Sequence, residues 1–383
     1  MKKKLLVMYA TYGTGHRSIA KYIDDYFTES GEYEVMEIDI LQYATPFLGT
    51  FTNKFYNNAM FKAPWLWNII YRMTDNTVGG KLSAQLLSKV VSNKKIKKII
   101  LDFDPDIVIA TYFTAATYIS KLKKSKELDC HLLSIVTDYK AHQMWLDSYR
   151  SEDALIVSSV EEKRELVKKG IDGKMIHTFG IPVSSKYTKS LYDKNELMKK
   201  FKLTGERPII LFYGGGGHGS STTLPYLLNI IESKIDADVF FVCGKNQDLK
   251  RKAEGMVKRH DANNIRVLGY ITNGPEYLYV SDFVITKPGG LTVTECLCFK
   301  KPMVLIRNAG GQEKDNYRFL TRKGYAINAV WQFKFYRTIK KLCTNPTYLE
   351  KMQNNLEKIN KEQAMVKLYD LVKKILDDDK PRT

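Results

Sequence analysis

Three glycine-containing elements carry the residues of this sequence that could do chemistry. The first is "MYATYGTGHRSIA", residues 8–20, where an apolar run ends in a turn with Gly13 and Gly15 and is followed at once by His16. Gly13 and Gly15 fit the first two positions of the dinucleotide fingerprint G-x-G-x-x-G, and Asp39 closes the next apolar run about where such a fold places its ribose-binding acid. Ser18 stands where the third glycine belongs, so a nicotinamide site is disfavoured. The second element, "YGGGGHGS" at 213–220, carries His218 but lacks the G-K-[ST] ending of a P-loop, and neither turn is a nucleoside-triphosphate site. The third, "SDFVITKPGGLTVTECL" at 281–297, predicts a strand ending at Lys287, a turn set by Pro288, and a helix opened by Gly289 and Gly290. Free N–H groups and the positive dipole end at that helix start suit a diphosphate held without a metal. Glu295, one turn further in, is placed to reach a ribose diol. The following "AGGQEKDN", 309–316, offers Gln312, Glu313 and Asn316, side chains suited to sugar hydroxyls.

These groups need strands and helices to hold them. Apolar, β-branched runs alternate with helical periodicity along the chain: "KLLVMYA", "YEVMEIDI", "DIVIATY" and "HLLSIVTD", then "PIILFYGGG", "ADVFFVCG", "IRVLGY", "DFVITK" and "PMVLIR". Short continuous apolar strands separated by helices predict parallel sheets covered on both faces. The pattern restarts after the charged, periodic stretch at 184–207. The expected fold is therefore α/β, with two doubly wound Rossmann-like domains: 1–183, a linker at 184–205, and 206–360. A lysine-rich final helix at about 361–378 is expected to pack back on the first domain. Ligands of open α/β sheets lie beyond the carboxyl ends of the strands, so the two domains are expected to face each other across a cleft.

One segment breaks the rhythm. Residues 44–76 mix Phe47, Phe51, Phe55, Tyr56, Phe61, Trp65, Trp67 and Tyr71 with Lys54, Lys62 and Arg72, a composition that suits either a lipid interface or an ordinary helical insertion. Lysine plus arginine exceed aspartate plus glutamate by 60 − 42 = 18, which implies an acidic partner: nucleic acid, an anionic membrane or a phosphorylated substrate. No nucleic-acid recognition motif is present. No apolar run approaches the roughly 18 residues of a membrane span. The opening Met-Lys-Lys-Lys and six apolar residues read as a buried strand rather than a secretory signal. Five scattered cysteines without a C-x-x-C pair suggest neither a disulfide framework nor a zinc site, which fits a reducing cytoplasm.

"KPGGLTVTE" followed by "GQEKDN", with "VCGKN" at 242–246 and "VLGY" at 267–270, resembles the nucleotide-sugar domain of glycosyltransferase family 28. Within that family the chain is most similar to the bacterial diacylglycerol glucosyltransferases and the plant monogalactosyldiacylglycerol synthases. "YGTGHRSIA", "VTDYKAHQMW" at 136–145 and "FGIPV" at 179–183 resemble that family's glycine-histidine turn, Thr-Asp…His motif and Gly-Ile-Pro junction, so the likeness spans nearly the whole chain. Two departures lie on the donor side: "YGGGGHGS" is richer in glycine than the corresponding turn, and "RNAGGQE" lacks the usual proline.

The resemblance implies a GT-B fold, with a UDP-sugar on the second domain and a lipid acceptor on the first. It implies that Gly289, Gly290 and Thr292 contact the diphosphate, Glu295 the ribose, and Gln312 with Glu313 the transferred hexose. The backbone near Gly269 and Tyr270 would hold the uracil, and His218 would lie near the phosphates. No metal or other cofactor is expected. The first turn becomes the acceptor side, where an inverting transfer needs a general base. His16 is the first candidate and Asp138 the rival, with Asp138 alternatively orienting an imidazole and His142 positioning acceptor or phosphate. A peripheral enzyme on the inner face of the cell membrane is implied, docked by its basic charge and by Phe47, Phe51, Phe55, Trp65 and Trp67. The alternatives are a lipid-linked peptidoglycan-precursor N-acetylglucosamine transferase, a GT-B epimerase, and a non-catalytic UDP-sugar-binding membrane protein.

Overall fold

A computed structural model of the protein describes residues 2–11, 15–43, 71–76, 79–83, 85–86, 94–215, 219–306 and 310–378. Gly13, His218, Phe47, Phe51, Phe55, Trp65 and Trp67 lie outside the described residues. By its contacts the chain divides into unit 1, Met1–Ser185 with Ala309–Asp315 and Lys361–Thr383, and unit 2, Lys186–Asn308 with Asn316–Asn360.

In unit 1 the apolar runs form β1 (Lys3–Tyr9), β2 (Tyr33–Asp39), β3 (Ile107–Ala110), β4 (His131–Ile135), β5 (Ala154–Ile156) and β6 (Ile176–His177). They lie in the order β2-β1-β3-β4-β5-β6, every pair parallel. Leu5 to Met8 of β1 have no accessible surface, as a strand covered on both faces requires. Helix Gly15–Glu29 presents Ile19, Ala20, Ile23 and Phe27 to the sheet, and helix Lys94–Phe103 presents Ile96, Ile100 and Phe103. The chain's last helix, Ala364–Asp377, also belongs to unit 1. It buries Met365, Leu368, Val372 and Leu376, and sets the Tyr369 ring 5.2 Å from Phe27 and 5.8 Å from Tyr33.

Unit 2 repeats the plan with β7 (Ile209–Tyr213), β8 (Asp238–Val242), β9 (Ile265–Leu268), β10 (Phe283–Thr286), β11 (Met303–Leu305) and β12 (Ala326–Asn328). Their order is β12-β11-β10-β7-β8-β9, again all parallel. In each sheet the winding reverses once, between β1 and β3 in unit 1 and between β7 and β10 in unit 2. The loops leaving the carboxyl ends of those strands part there and leave a crevice.

From Lys186 on, the stretch 184–205, expected as a linker, is a folded part of unit 2. Helix Lys194–Lys200 is capped by Asp193, whose side chain accepts from the Glu196 N–H. Phe201 stacks on Tyr277 at 4.4 Å, and Tyr187 packs against Phe299 at 5.8 Å. The charges that suggested a linker are the solvated face of an amphipathic segment, and Tyr187, Leu197 and Phe201 are its buried face.

Candidate active site

His16 stands at the unit 1 crevice because β1 ends at Tyr9 and helix Gly15–Glu29 begins five residues after Ala10. Its Nδ1 is 2.9 Å from the carbonyl oxygen of Thr111, the residue that follows β3, and 3.2 Å from Oγ1 of Thr137, which lies just beyond β4. A carbonyl only accepts, so Nδ1 carries the proton and Nε2 keeps its lone pair. The Tyr112 ring meets the imidazole edge-on at 5.1 Å. Burial pushes the His16 pKa down to about 4, against the opposing effect of the bond to Thr111, so the ring is neutral near pH 7. It still keeps some accessible surface.

Asp39 has a local task. Its carboxylate, at the end of β2, accepts from the Thr11 N–H at 3.3 Å, from the Thr11 hydroxyl and from the Leu41 N–H at 3.1 Å. It braces the first turn, which accounts for an acid at that position without a cofactor.

Asp138 follows Thr137 directly and is half-buried. Around it lie buried groups that respond to its charge. Burial first, then the charges of Asp315 and Asp138, hold the Tyr71 phenol far above its ordinary range. Burial also raises Glu162 to about 7, opposed by its bonds from Ser158 and reinforced by Asp138.

His142, expected to position acceptor or phosphate, makes local hydrogen bonds in the structure. Its Nδ1 accepts from the Met144 N–H at 3.3 Å, so Nε2 bears the proton and donates to the Tyr71 carbonyl at 3.1 Å. Thr74 Oγ1 lies 3.3 Å from the same nitrogen. His142 therefore ties residues 71–76 to the loop after β4. Asp75 strengthens the tie by accepting from Lys140 Nζ at 2.9 Å and from the Gln143 N–H at 3.1 Å. Asp315 joins it, 3.4 Å from the Tyr71 hydroxyl and 3.6 Å from Lys140 Nζ. Burial lowers the Lys140 pKa, but the bond to Asp75 and the charge of Asp315 outweigh it and leave the ammonium above its usual value. The segment 309–315 that carries Gln312 and Glu313 is thus anchored within unit 1, with Glu313 buried.

Unit 2 has a crevice of its own at its sheet's switch point. The loop after β7 folds back on itself, the Ser220 N–H bonding the Gly214 carbonyl at 2.6 Å. Gly219 sits at φ +66°, and a Cβ there would run into the Cys243 carbonyl oxygen, so this glycine is demanded by the backbone. Gly289 is a different case. It has an ordinary φ of −76° as the N-cap of helix Gly290–Cys298, and a Cβ there would meet open space. Nothing within the described chain requires a glycine there. No side chain caps that helix start, which leaves it the general character of an anion-binding helix N-terminus.

Beneath the loop, Asn316 has no accessible surface and donates to the Pro288 carbonyl at 3.0 Å. Thr292 is partly accessible, and Glu295, one turn further, is 7% exposed. Gly269 and Tyr270 follow β9 on the same sheet edge, with Tyr270 exposed and Lys245 Nζ 5.2 Å from its ring centroid. From β10 to β9 is three strand spacings, about 14 Å, which matches the reach of a nucleoside diphosphate.

Among the described residues no group of three or more His, Cys, Asp or Glu could hold a metal ion. The sequence reading did not single out Thr111, Asp75, Lys140 or Asp315, and it took Tyr71 only as one aromatic of 44–76 and Thr137 only as part of the Thr-Asp…His motif. Thr111 and Thr137 had a usable signal, since each closes an apolar strand run on the edge where ligands bind.

Comparison with known proteins also finds two domains. Residues 16–183 match the monogalactosyldiacylglycerol (MGDG) synthase family, and residues 210–375 match the glycosyltransferase family 28 C-terminal domain. The processive diacylglycerol beta-glucosyltransferases of Bacillus thuringiensis (strain Al Hakam) and Bacillus cereus (strain AH187) are each 28% identical over 324 residues, covering 85% of this chain and 81% of theirs. Among solved structures, Acinetobacter baumannii MurG has a TM-score of 0.63 at 15% identity, covering 97% of this chain and 99% of its own. The UDP-GlcNAc 2-epimerase of Neisseria meningitidis, bound to UDP-GlcNAc, has a TM-score of 0.60 at 12% identity, covering 97% and 100%. At such identities these two establish the GT-B fold alone. The chain thus joins a domain of the MGDG synthase type to a glycosyltransferase family 28 C-terminal domain.

Proposed function

We propose that this glycosyltransferase moves a hexose, glucose in preference to galactose, from its UDP derivative to diacylglycerol with inversion at the anomeric carbon. The observation that carries the reading is the neutral His16, its Nδ1–H fixed on the Thr111 carbonyl and its Nε2 left with a lone pair at the unit 1 crevice. His16 Nε2 takes the proton of the acceptor hydroxyl as the hydroxyl oxygen bonds to the anomeric carbon and the bond to UDP breaks. Asp138 remains the rival base. The uncapped start of helix Gly290–Cys298 stabilises the departing diphosphate. Gly290 and Thr292 line that start, Glu295 takes the ribose, Gly269 and Tyr270 the uracil, and Gln312 with Glu313 the hexose. Asn316 supports the diphosphate loop from below. Inversion of an α-linked UDP-sugar yields a β-glycoside, the linkage named in the Bacillus relatives.

The acceptor lies in a bilayer, so the enzyme docks there peripherally. Among the described residues no helix is long and apolar enough to cross a membrane. The net charge of +18 attracts an anionic surface, and the exposed Met73, Leu82 and Leu86 extend the aromatic run of 44–76. The test is hexose transfer by the purified protein to diacylglycerol in anionic liposomes, with labelled UDP-glucose and UDP-galactose in parallel and no added metal. The expected product is a β-glucosyl-diacylglycerol, and its chain length reads out processivity. Binding of UDP-sugar with no lipid product from either donor would overturn the acceptor and bring forward the peptidoglycan-precursor or non-catalytic readings.

A further inference from the structure

The two most exposed large apolar side chains among the described residues are neighbours in unit 2: Trp331, 76% exposed, and Phe333, 72% exposed. They sit at the start of helix Gln332–Thr344, which buries Phe335, Thr338, Ile339 and Leu342 against the sheet. The opposite face, at helical spacing, is Phe333, Tyr336, Arg337 and Lys340, flanked by Lys334 and Lys341. Their side chains interleave, with the Arg337 guanidinium 5.4 Å from the Phe333 ring centroid and Lys340 Nζ 5.8 Å from that of Tyr336. From Asn316 to Leu349 there is no acidic residue, while there are seven lysines and arginines, so the cations of this face lack acidic neighbours in sequence to neutralise them.

The backbone that carries Trp331 and Phe333 is fastened to the body of unit 2. Beneath it the Tyr226 hydroxyl donates to the Val330 carbonyl at 2.5 Å, and the Tyr226 ring meets Phe335 edge-on at 5.0 Å. The Trp331 carbonyl accepts from the Phe335 N–H at 2.8 Å. Isolated exposed apolar residues are ordinary, but an adjacent tryptophan and phenylalanine backed by cations and free of carboxylates match the layered chemistry of a lipid interface.

We propose that Trp331 and the outer face of helix Gln332–Thr344 form a docking surface for an anionic lipid bilayer. Trp331 and Phe333 enter the headgroup layer, and Lys334, Arg337, Lys340 and Lys341 lie over the lipid phosphates. The surface is independent of segment 44–76, so the donor unit has its own membrane contact. The proposal rests on the lipid-acceptor reading for the identity of the surface it meets.

The test compares the full-length protein with two double variants, Trp331→Ala/Phe333→Ala and Arg337→Glu/Lys340→Glu. Three readouts are taken: co-sedimentation with phosphatidylglycerol/phosphatidylcholine vesicles, binding of a single-stranded RNA, and hexose transfer to short-chain diacylglycerol in detergent micelles. Both variants are expected to lose vesicle affinity by about tenfold or more, while micellar transfer stays at the parental rate and shows the fold is intact. Vesicle binding equal to that of the parent, or no vesicle binding by the parent itself, would overturn the proposal. A loss confined to RNA binding would reassign the face to nucleic acid. If the parent failed to glycosylate diacylglycerol yet bound vesicles through Trp331 and Phe333, the acceptor reading would fall and the docking surface would stand.

Discussion

A base that takes a proton from an acceptor has to enter the reaction unprotonated and correctly turned, and His16 meets both conditions through contacts with groups distant in sequence. The Thr111 carbonyl fixes the tautomer from 95 positions away, and burial keeps the ring neutral with a pKa of about 4. Protonation below that value removes the Nε2 lone pair. The rate is therefore expected to be flat from neutral pH down to about 5 and to fall as pH drops through about 4. Either kind of base is lost on protonation, so an acid limb by itself does not separate His16 from Asp138. Its temperature dependence does: imidazole ionises with a large enthalpy and a carboxylate with almost none. The limb is expected to move with temperature, and a fixed limb would make Asp138 the base. His16→Ala is expected to lower kcat by about 10²–10⁴-fold and leave UDP binding, a property of unit 2, unchanged by calorimetry. The identity of His16 was legible because a histidine directly after a glycine turn is visible in sequence. Its orienting partner was not, because that partner is a backbone oxygen and carries no residue signature. The local partners of His142 were hidden for a related reason: its ring nitrogens bond residues 71 and 144, and only the folded chain brings residue 71 to it.

At the scale of an element, two glycine loops at one crevice make opposite demands. The loop after β7 needs Gly219 for the backbone's own sake, whereas Gly289 has ordinary dihedrals and room for a methyl group. Gly289→Ala is therefore expected to change stability by less than about 1 kcal/mol, yet to weaken UDP-sugar by about tenfold or more, about 1.4 kcal/mol. Gly219→Ala is expected to cost more than about 2 kcal/mol through the left-handed strain and the clash with Cys243. Thermal melts and donor titrations on both variants distinguish the roles, and an unstable Gly289→Ala with intact donor affinity would make that glycine structural. The strands themselves were legible because a parallel strand buried on both faces reads as an unbroken apolar run. The stretch 184–205 was read as a linker because its surface charges outnumber the three side chains that fasten it, Tyr187, Leu197 and Phe201.

At the scale of the molecule, the chain's end completes the fold of its beginning. Helix Ala364–Asp377 covers the edge of unit 1 where Phe27 and Tyr33 lie, and Lys361 bonds the Ser158 carbonyl on the way there. Met365, Leu368, Val372 and Leu376 are almost wholly buried, and at about 1.5–3 kcal/mol each they contribute roughly 6–12 kcal/mol as an upper estimate. A domain's whole stability is about 5–15 kcal/mol, so unit 1 is not expected to stay folded without this helix. Unit 2 ends at Asn360. Ending the chain after Asn360 is therefore expected to leave a protein that binds UDP-sugar, is cut readily by protease within 1–185, and transfers nothing. If unit 1 resisted protease in that truncated protein, the C-terminal helix would be an accessory to the fold, and the four side chains would be worth far less than their buried area suggests. If UDP-sugar binding vanished along with unit 1, the donor site would depend on 309–315 being held by Tyr71 and Lys140, and the Asp315 contacts would become part of donor recognition.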